Sequence, residues 1–78
     1  MKPVKHSFTI AGHKASISLE APFWEALKDA TRSEGLSLAA LIKRIDTERG
    51  AAGLSSAVRV WALDYFRTRA IYGPPGRS

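Results

Sequence analysis

Polar and apolar residues alternate strictly over residues 14–19. In a strand this pattern would place the polar side chains on one face and the apolar side chains on the other. The polar positions are Lys14, Ser16 and Ser18, and the apolar positions are Ala15, Ile17 and Leu19. A lone strand leaves its backbone groups without partners. The stretch therefore predicts pairing with another strand, in the same chain or in a second copy.

The residues before this strand allow two arrangements. Residues 6–10 alternate in the same way, and Ala11-Gly12 stands where a tight turn would join two strands, since Gly12 can adopt positive φ. This arrangement predicts a hairpin with residues 13–19 as its second strand. The alternative is an extended N-terminal segment, with residues 1–5 as a basic arm, followed by a single strand.

Helical spacing of the apolar residues begins directly after the strand. Pro22 suits the first turn of a helix, where its missing N–H costs nothing, and Gly35 suits the left-handed end of that helix. Ser37 is a suitable N-cap for a second helix, which Gly50 would end. Trp24 falls on the apolar face of the first helix, so we expect it in the core.

A third helix is predicted over roughly residues 56–69, and most of its circumference is apolar. Such a helix is expected at the centre of a core or of a dimer interface. Glycines and prolines at 73–76 would end it, and residues 71–78 are expected to form a flexible tail. The predicted fold class is α+β and mostly helical, with a strand or hairpin before three helices in one domain at residues 6–70.

Size and composition favour an assembly of more than one chain. The sequence has 78 residues, of which 45% are hydrophobic, and it contains no cysteine. A monomer of this length buries only a modest core, and disulfides cannot stabilise it. We therefore expect a homodimer. No apolar run is long enough to cross a bilayer and no signal peptide is visible, so the expected location is the cytoplasm.

The distribution of charge adds a class of partner. The formal net charge is +5, and residues 1–19 carry three lysines and no acidic residue. Residues 59–77 carry four arginines against Asp64. Basic ends around a neutral middle suit a polyanion such as DNA. Within the first segment, Lys5 and His13 are candidates for phosphate contacts.

Catalysis has little support in the sequence. It contains no nucleophile motif, no phosphate-binding glycine loop and no paired carboxylates on one face. His6 and His13 lack acidic or cysteine partners at the spacing of metal ligands. We therefore predict no enzyme activity, no metal site and no cofactor.

The order of these elements resembles the ribbon-helix-helix (Met/Arc repressor-like) DNA-binding fold. Residues 14–19 match the ribbon strand, residues 21–34 match the first helix, and a Gly-x-Ser turn follows. The segments 9–13 and 54–59 look like those of a bacterial subfamily of small uncharacterised members. The resemblance covers residues 5–69.

In that family two chains pair their strands, and the two-stranded ribbon enters the DNA major groove. The resemblance implies that Lys14, Ser16 and Ser18 contact base edges, since lysine can donate to guanine and a serine hydroxyl can donate or accept. If residues 6–10 form a further strand, a dimer would present four strands. That sheet would be too broad for a groove sized for two strands.

The family's second helix dimerises, and its N-terminus binds a phosphate. Ser37 holds the expected position, whereas Ser55, Ser56 and Arg59 fit the family's Ser-x-x-Ile-Arg pattern better. Either the helix at 37–49 or the helix at 55–69 is therefore central, and the other is an extra helix. The expected dimer core combines strand and third-helix residues, namely Ile17, Leu19, Val58, Trp61, Ala62 and Tyr65.

The resemblance thus implies a homodimeric, sequence-specific protein that binds double-stranded DNA of the nucleoid and regulates transcription. One alternative is an antitoxin, which would need a partner-binding tail; the segment 71–78 is short and poor in apolar residues. Another is a protein-interaction module of the same fold without a DNA role, which leaves room for a protein partner.

Overall fold

A β-hairpin followed by three helices makes up residues 1–72, which are the residues that the computed structural model describes. The strands are β1 (Pro3–Ile10) and β2 (His13–Glu20), and the helices are α1 (Ala21–Glu34), α2 (Leu38–Glu48) and α3 (Leu54–Tyr72). The α+β prediction is confirmed. Residues 73–78, which contain most of the predicted tail, lie outside the described range.

The hairpin resolves the first alternative that the sequence left open. β1 pairs antiparallel with β2, in a register that runs from Ile10 opposite His13 to Pro3 opposite Glu20. Ala11 and Gly12 form the turn, with φ angles of 51° and 82°. Two successive positive φ angles are what a tight hairpin turn requires, because its twist then matches that of the strands. Because β1 already begins at Pro3, the predicted basic arm is largely part of the sheet.

The helix-facing side of the hairpin is the more buried of its two faces. Ile10, Ile17 and Leu19 are buried in the core, and Phe8 and Ala15 pack against it. The polar residues at the alternate positions face away from the helices. The strand alternation seen in the sequence therefore fixes which face packs on the rest of the chain.

Local signals set the helix boundaries. α1 follows β2 without a loop, with Glu20 as its N-cap and a proline in its first turn. It ends at Gly35, whose φ of 69° is left-handed and whose N–H donates to the Thr31 carbonyl. Ser37 caps α2, since its hydroxyl oxygen accepts from the backbone N–H of Ala40 at 3.1 Å. α3 runs past Arg69, where the prediction ended it, to Tyr72.

Most of the predicted dimer core is part of the core of a single chain. Ile17, Leu19 and Val58 are fully buried, and Ala62 is 3% exposed. Within the single chain these side chains belong to the hydrophobic core that the hairpin and the helices share. Trp61 and the last member of the predicted set, Tyr65, are only half-buried. The predicted role of these six residues in a dimer stays a prediction.

Candidate nucleic-acid interface

Six polar side chains share the outward face of the hairpin, and we call them the polar face. They form three cross-strand pairs, which are Lys5 with Ser18, Ser7 with Ser16, and Thr9 with Lys14. All are exposed except Ser18, which is half-buried. The face therefore carries two ammonium groups and four hydroxyl groups. These are groups that can contact phosphates and donate to or accept from base edges.

The predicted base contacts lie together on this face. Lys14, Ser16 and Ser18 occupy alternate positions of β2, as predicted. Ser7 and Thr9 of β1 extend the same surface, and sequence reasoning did not include them in the site. The signal that could have found them is the alternation of residues 6–10, read together with the Ala11-Gly12 turn.

Within one chain the hairpin is two strands wide. Neighbouring strands lie about 4.8 Å apart, and the B-DNA major groove is about 12 Å wide, so a two-stranded ribbon fits that groove. The sequence-based interpretation paired strands from two chains. Within the chain, β1 pairs with one edge of β2, and strand pairing between two chains stays a prediction.

A hydrogen bond and aromatic contacts hold β1 against α1. The indole N–H of Trp24 donates to the Val4 carbonyl oxygen at 2.9 Å. The ring of His6 meets the Trp24 ring edge-on, with centroids 4.5 Å apart, and the centroid of the Phe8 ring lies 6.1 Å from that of Trp24. Trp24 is buried in the core, as predicted. Contacts from α1 therefore support the polar face from behind.

The open edge of β2 is occupied at its C-terminal end by α3. The backbone N–H of Ser18 donates to the Ser55 hydroxyl oxygen at 3.2 Å. The Ser18 carbonyl oxygen accepts from the guanidinium of Arg59 at 3.1 Å. The same guanidinium forms an ion pair with Glu20, with the closest nitrogen and oxygen 3.2 Å apart.

The predicted phosphate contacts therefore divide into two groups. Ser55 and Arg59 are half-buried and have partners on β2 and at its end. The other four predicted residues are exposed: Lys5, His13, Ser37 and Ser56. Of these, Ser37 already uses its hydroxyl to cap α2. The five-residue pattern that suggested a phosphate contact for Arg59 does not include Glu20, so it could not predict their ion pair.

The charge of Glu20 is stabilised where β2 ends. A hydrogen bond from its own backbone N–H lowers the pKa of the Glu20 carboxyl most, and burial opposes this by raising it. The hydrogen bond and the positive charge of Arg59 lower that pKa further. Arg59 therefore meets an ionised carboxylate at neutral pH, and the two side chains form an ion pair where β2 ends.

An apolar groove lies between α1 and α3, and we call it the α1–α3 groove. It has a volume of about 410 Å³. Its apolar lining includes Val60 and Leu63, which are 58% and 60% exposed. The other lining residues are Pro22, Phe23, Ala26, Arg59, Ala62 and Phe66. The sequence suggested that α3 lies at the centre of a core or dimer interface, and this groove is its uncovered side.

Within residues 1–72, no group of histidine, aspartate and glutamate side chains is arranged to hold a metal ion. Among the three described helices, none is long and apolar enough to cross a membrane.

Comparison with known protein families and solved structures gives matches that agree with the observed fold. A family model described as a ribbon-helix-helix domain matches residues 3–66. Among solved structures, an uncharacterized protein from Bordetella pertussis Tohama I is similar, with a TM-score of 0.80 and 30% sequence identity. The match covers 95% of this chain and 63% of that one, so the chain spans less than two thirds of that protein. No curated protein matches the sequence.

Proposed function

Because the chain belongs to the ribbon-helix-helix family, we propose that it is a homodimeric, sequence-specific DNA-binding protein that regulates transcription. Domains of this family generally bind DNA as dimers, in transcription regulators or toxin–antitoxin systems. The observation that carries the proposal is the polar face, a two-stranded surface of lysines and hydroxyls backed by a rigid core. Double-stranded DNA of the nucleoid is the proposed partner.

In the proposed complex the hairpin enters the major groove with its polar face toward the bases. Lys14 donates to guanine O6 or N7, and Ser16 and Ser18 contact neighbouring bases. Ser7 and Thr9 add hydroxyl contacts from β1. Two adjacent strands then contribute to base recognition from one chain.

The proposed phosphate contacts come from the exposed members of the predicted set. Lys5 and His13 lie on the hairpin, and Ser56 lies in the first turn of α3, where backbone N–H groups favour an anion. Ser37 lies at the start of α2 and is a weaker candidate, because its hydroxyl caps that helix. We leave Ser55 and Arg59 out of this set because their polar groups have partners inside the chain.

The proposed dimer forms through the α1–α3 groove, with α3 as the central helix. Val60, Leu63 and Phe66 are large apolar side chains that remain exposed along α3. The exposed side of α2 instead carries charged and polar residues such as Lys43 and Arg44. A chain of 78 residues gains stability when a second copy covers such a surface.

Selection of bound sequences from a random DNA pool tests the proposal, followed by a mobility-shift assay at fixed salt concentration. We expect the double variant Lys14→Ala/Ser16→Ala to bind the selected sequence at least about fivefold more weakly, because one base contact provides about 1–3 kcal/mol of discrimination. Lys43→Ala removes an exposed lysine on α2 and is the matched control. Equal losses in both variants, or no enrichment of any sequence, would contradict base recognition by the hairpin.

A further inference from the structure

We infer that a groove between α2 and α3, which we call the α2–α3 groove, docks a basic segment of a different protein. In the docked state an apolar side chain of that segment lies beside Trp61, and its lysine or arginine side chains pair with Glu48 and Asp64. The described lining residues of the groove all belong to α2, α3 or the loop between them. The inference therefore does not rest on the proposed binding of DNA by the hairpin.

Part of the groove lining is apolar. The groove has a volume of about 360 Å³, within the range of about 300–1,000 Å³ that ligand pockets occupy. Ile45 is buried, Ala57 and Trp61 are half-buried, and Val60 is 58% exposed. A partner side chain that covers the exposed part of this lining removes apolar surface from water, which favours docking.

Trp61 is the aromatic side chain of this lining. Its ring stacks on that of Tyr65, with centroids 4.9 Å apart and planes 17° from parallel. The stacking restricts the indole before a partner arrives, so less conformational entropy is lost when one binds. Tryptophan and tyrosine are enriched among the residues that contribute most to binding between proteins.

Two carboxylates line the same groove. Glu48 and Asp64 are exposed, and neither forms an ion pair with the described part of the chain. Arg49 also lines the groove, but its guanidinium donates to the carboxylate of Asp46 and to the carbonyl oxygen of Ala52. The positive charge of the groove is therefore already paired, and its two unpaired charges are negative. Lysine or arginine side chains of a partner complement them.

The same charges distinguish this partner from DNA and from a second copy of the chain. Glu48 and Asp64 repel phosphates and attract a basic peptide. A second copy that joined through this groove by two-fold symmetry would bring the same patch, and so the same two carboxylates, to the contact. Like charges would then oppose association. The α2–α3 groove therefore suits a different protein, and the α1–α3 groove remains the surface proposed for the dimer.

Selection from a random pool of displayed short peptides, with the full-length protein as the target, tests the inference. We expect the enriched peptides to combine a large apolar residue with neighbouring lysine or arginine. A synthetic copy of an enriched peptide should shift the indole N–H resonance of Trp61 in NMR spectra. The indole N–H of Trp24 is the internal control, because it is buried and bonded to the Val4 carbonyl oxygen, and its resonance should stay in place.

Charge reversal tests the two carboxylates. Glu48→Lys/Asp64→Lys should bind the selected peptide at least about fivefold more weakly, because two attractions become two repulsions. Glu25→Lys/Asp29→Lys is the matched control, since it makes the same change in net charge at two exposed positions of α1, and it should bind nearly as tightly as the wild type. Equal losses in the two double variants would overturn the inference. Enrichment of acidic peptides, or of none, would do the same.

Two further results would assign the groove to another occupant and overturn the inference. One is a shift of the Trp61 indole resonance in Arg77→Ala without peptide, which would indicate residues 73–78 of the chain itself. The other is a selective loss of self-association in Glu48→Lys/Asp64→Lys, measured by sedimentation, which would indicate a second copy. Peptide binding at Trp61 in a protein that binds no DNA would remove the proposed function and leave this inference standing.

Discussion

The indole N–H of Trp24 and the carbonyl oxygen of Val4 are joined by a hydrogen bond of 2.9 Å, which ties the start of β1 to α1. The tie is notable because the first residues of β1 bury little surface. Val4 is 42% exposed, and His6 is exposed as well. Trp24 itself is 4% exposed and contacts the rings of His6 and Phe8. One side chain thus supports the outer strand of the ribbon.

Replacing Trp24 with phenylalanine should loosen that strand. The variant keeps an aromatic ring but loses the hydrogen bond and part of the buried volume, so we expect a loss of about 1–3 kcal/mol in the free energy of unfolding. Urea denaturation measures this loss. Trp61→Phe is the control, because Trp61 is half-buried and stacked on Tyr65. Equal losses in the two variants would contradict a special role for Trp24.

We expect substitutions in the hairpin turn to change the stability of the protein through backbone strain and not through steric crowding. Ala11 has a positive φ, which is unfavourable for alanine. Ala11→Asn should therefore stabilise the protein by about 0.5–1 kcal/mol, because asparagine tolerates the left-handed region better. Gly12→Ala should destabilise it by about 1–2 kcal/mol through backbone strain.

Thermal or urea unfolding checks both turn variants. A methyl group at Gly12 would meet nothing within 4 Å, so crowding cannot explain a loss. Gly53→Ala is the control, since Gly53 has equally open space and its φ is not positive. Similar effects at Gly12 and Gly53 would show that the turn geometry does not limit stability.

The sequence predicts the strands and helices better than it predicts which surfaces bury their apolar side chains. Alternation and the Ala11-Gly12 turn indicated the hairpin, because strand faces and turn residues are local signals. Whether Ile17 and Leu19 are covered by their own chain or by a partner is not a local property. Both situations require the same apolar residues, and so the alternation alone does not distinguish between them.

Arg59 shows the same limit at the candidate site. Its position after Ser55 matched a phosphate-binding pattern of the family, and the pattern spans only five residues. Its partner Glu20 lies 39 residues earlier in the chain. Only the packing of α3 against the end of β2 brings these groups together. Long-range ion pairs of this kind cannot be predicted from spacing in a single sequence.

Dimerisation through the α1–α3 groove should fail when a charge is placed in it. Leu63 is 60% exposed in the single chain, so Leu63→Arg should leave the fold intact. In a dimer the same arginine would be buried without a partner, and we expect at least about tenfold weaker association. Sedimentation equilibrium measures the association.

The control for this interface is Thr68→Arg, an exposed position on the same helix. It adds the same charge, so general repulsion between positively charged chains would affect both variants. Selective loss in Leu63→Arg is the expected outcome. A dimer that tolerates arginine at position 63 would place the interface elsewhere. A wild-type monomer would favour the protein-interaction alternative, with the groove open to a different protein.

The ion pair of Glu20 should make part of the stability depend on pH. Its own backbone N–H and then Arg59 lower the pKa of the Glu20 carboxyl below the ordinary value of 4.5, and the positive N-terminal amine acts in the same direction. A carboxyl with a lowered folded-state pKa contributes stability that is fully present above its unfolded pKa. That contribution is lost as the pH falls through the folded pKa.

Glu20→Gln removes the titration while keeping the shape of the side chain. We expect the wild type to be more stable than this variant at neutral pH, and the difference in unfolding free energy to shrink as the pH falls below 4.5. Urea denaturation at a series of pH values measures the difference. Glu25→Gln, which removes an exposed carboxylate paired with Lys28, is the control and should show a smaller effect. A difference for Glu20→Gln that stays constant down to acid pH would mean that the charge of Glu20 does not hold Arg59 on the β2 edge.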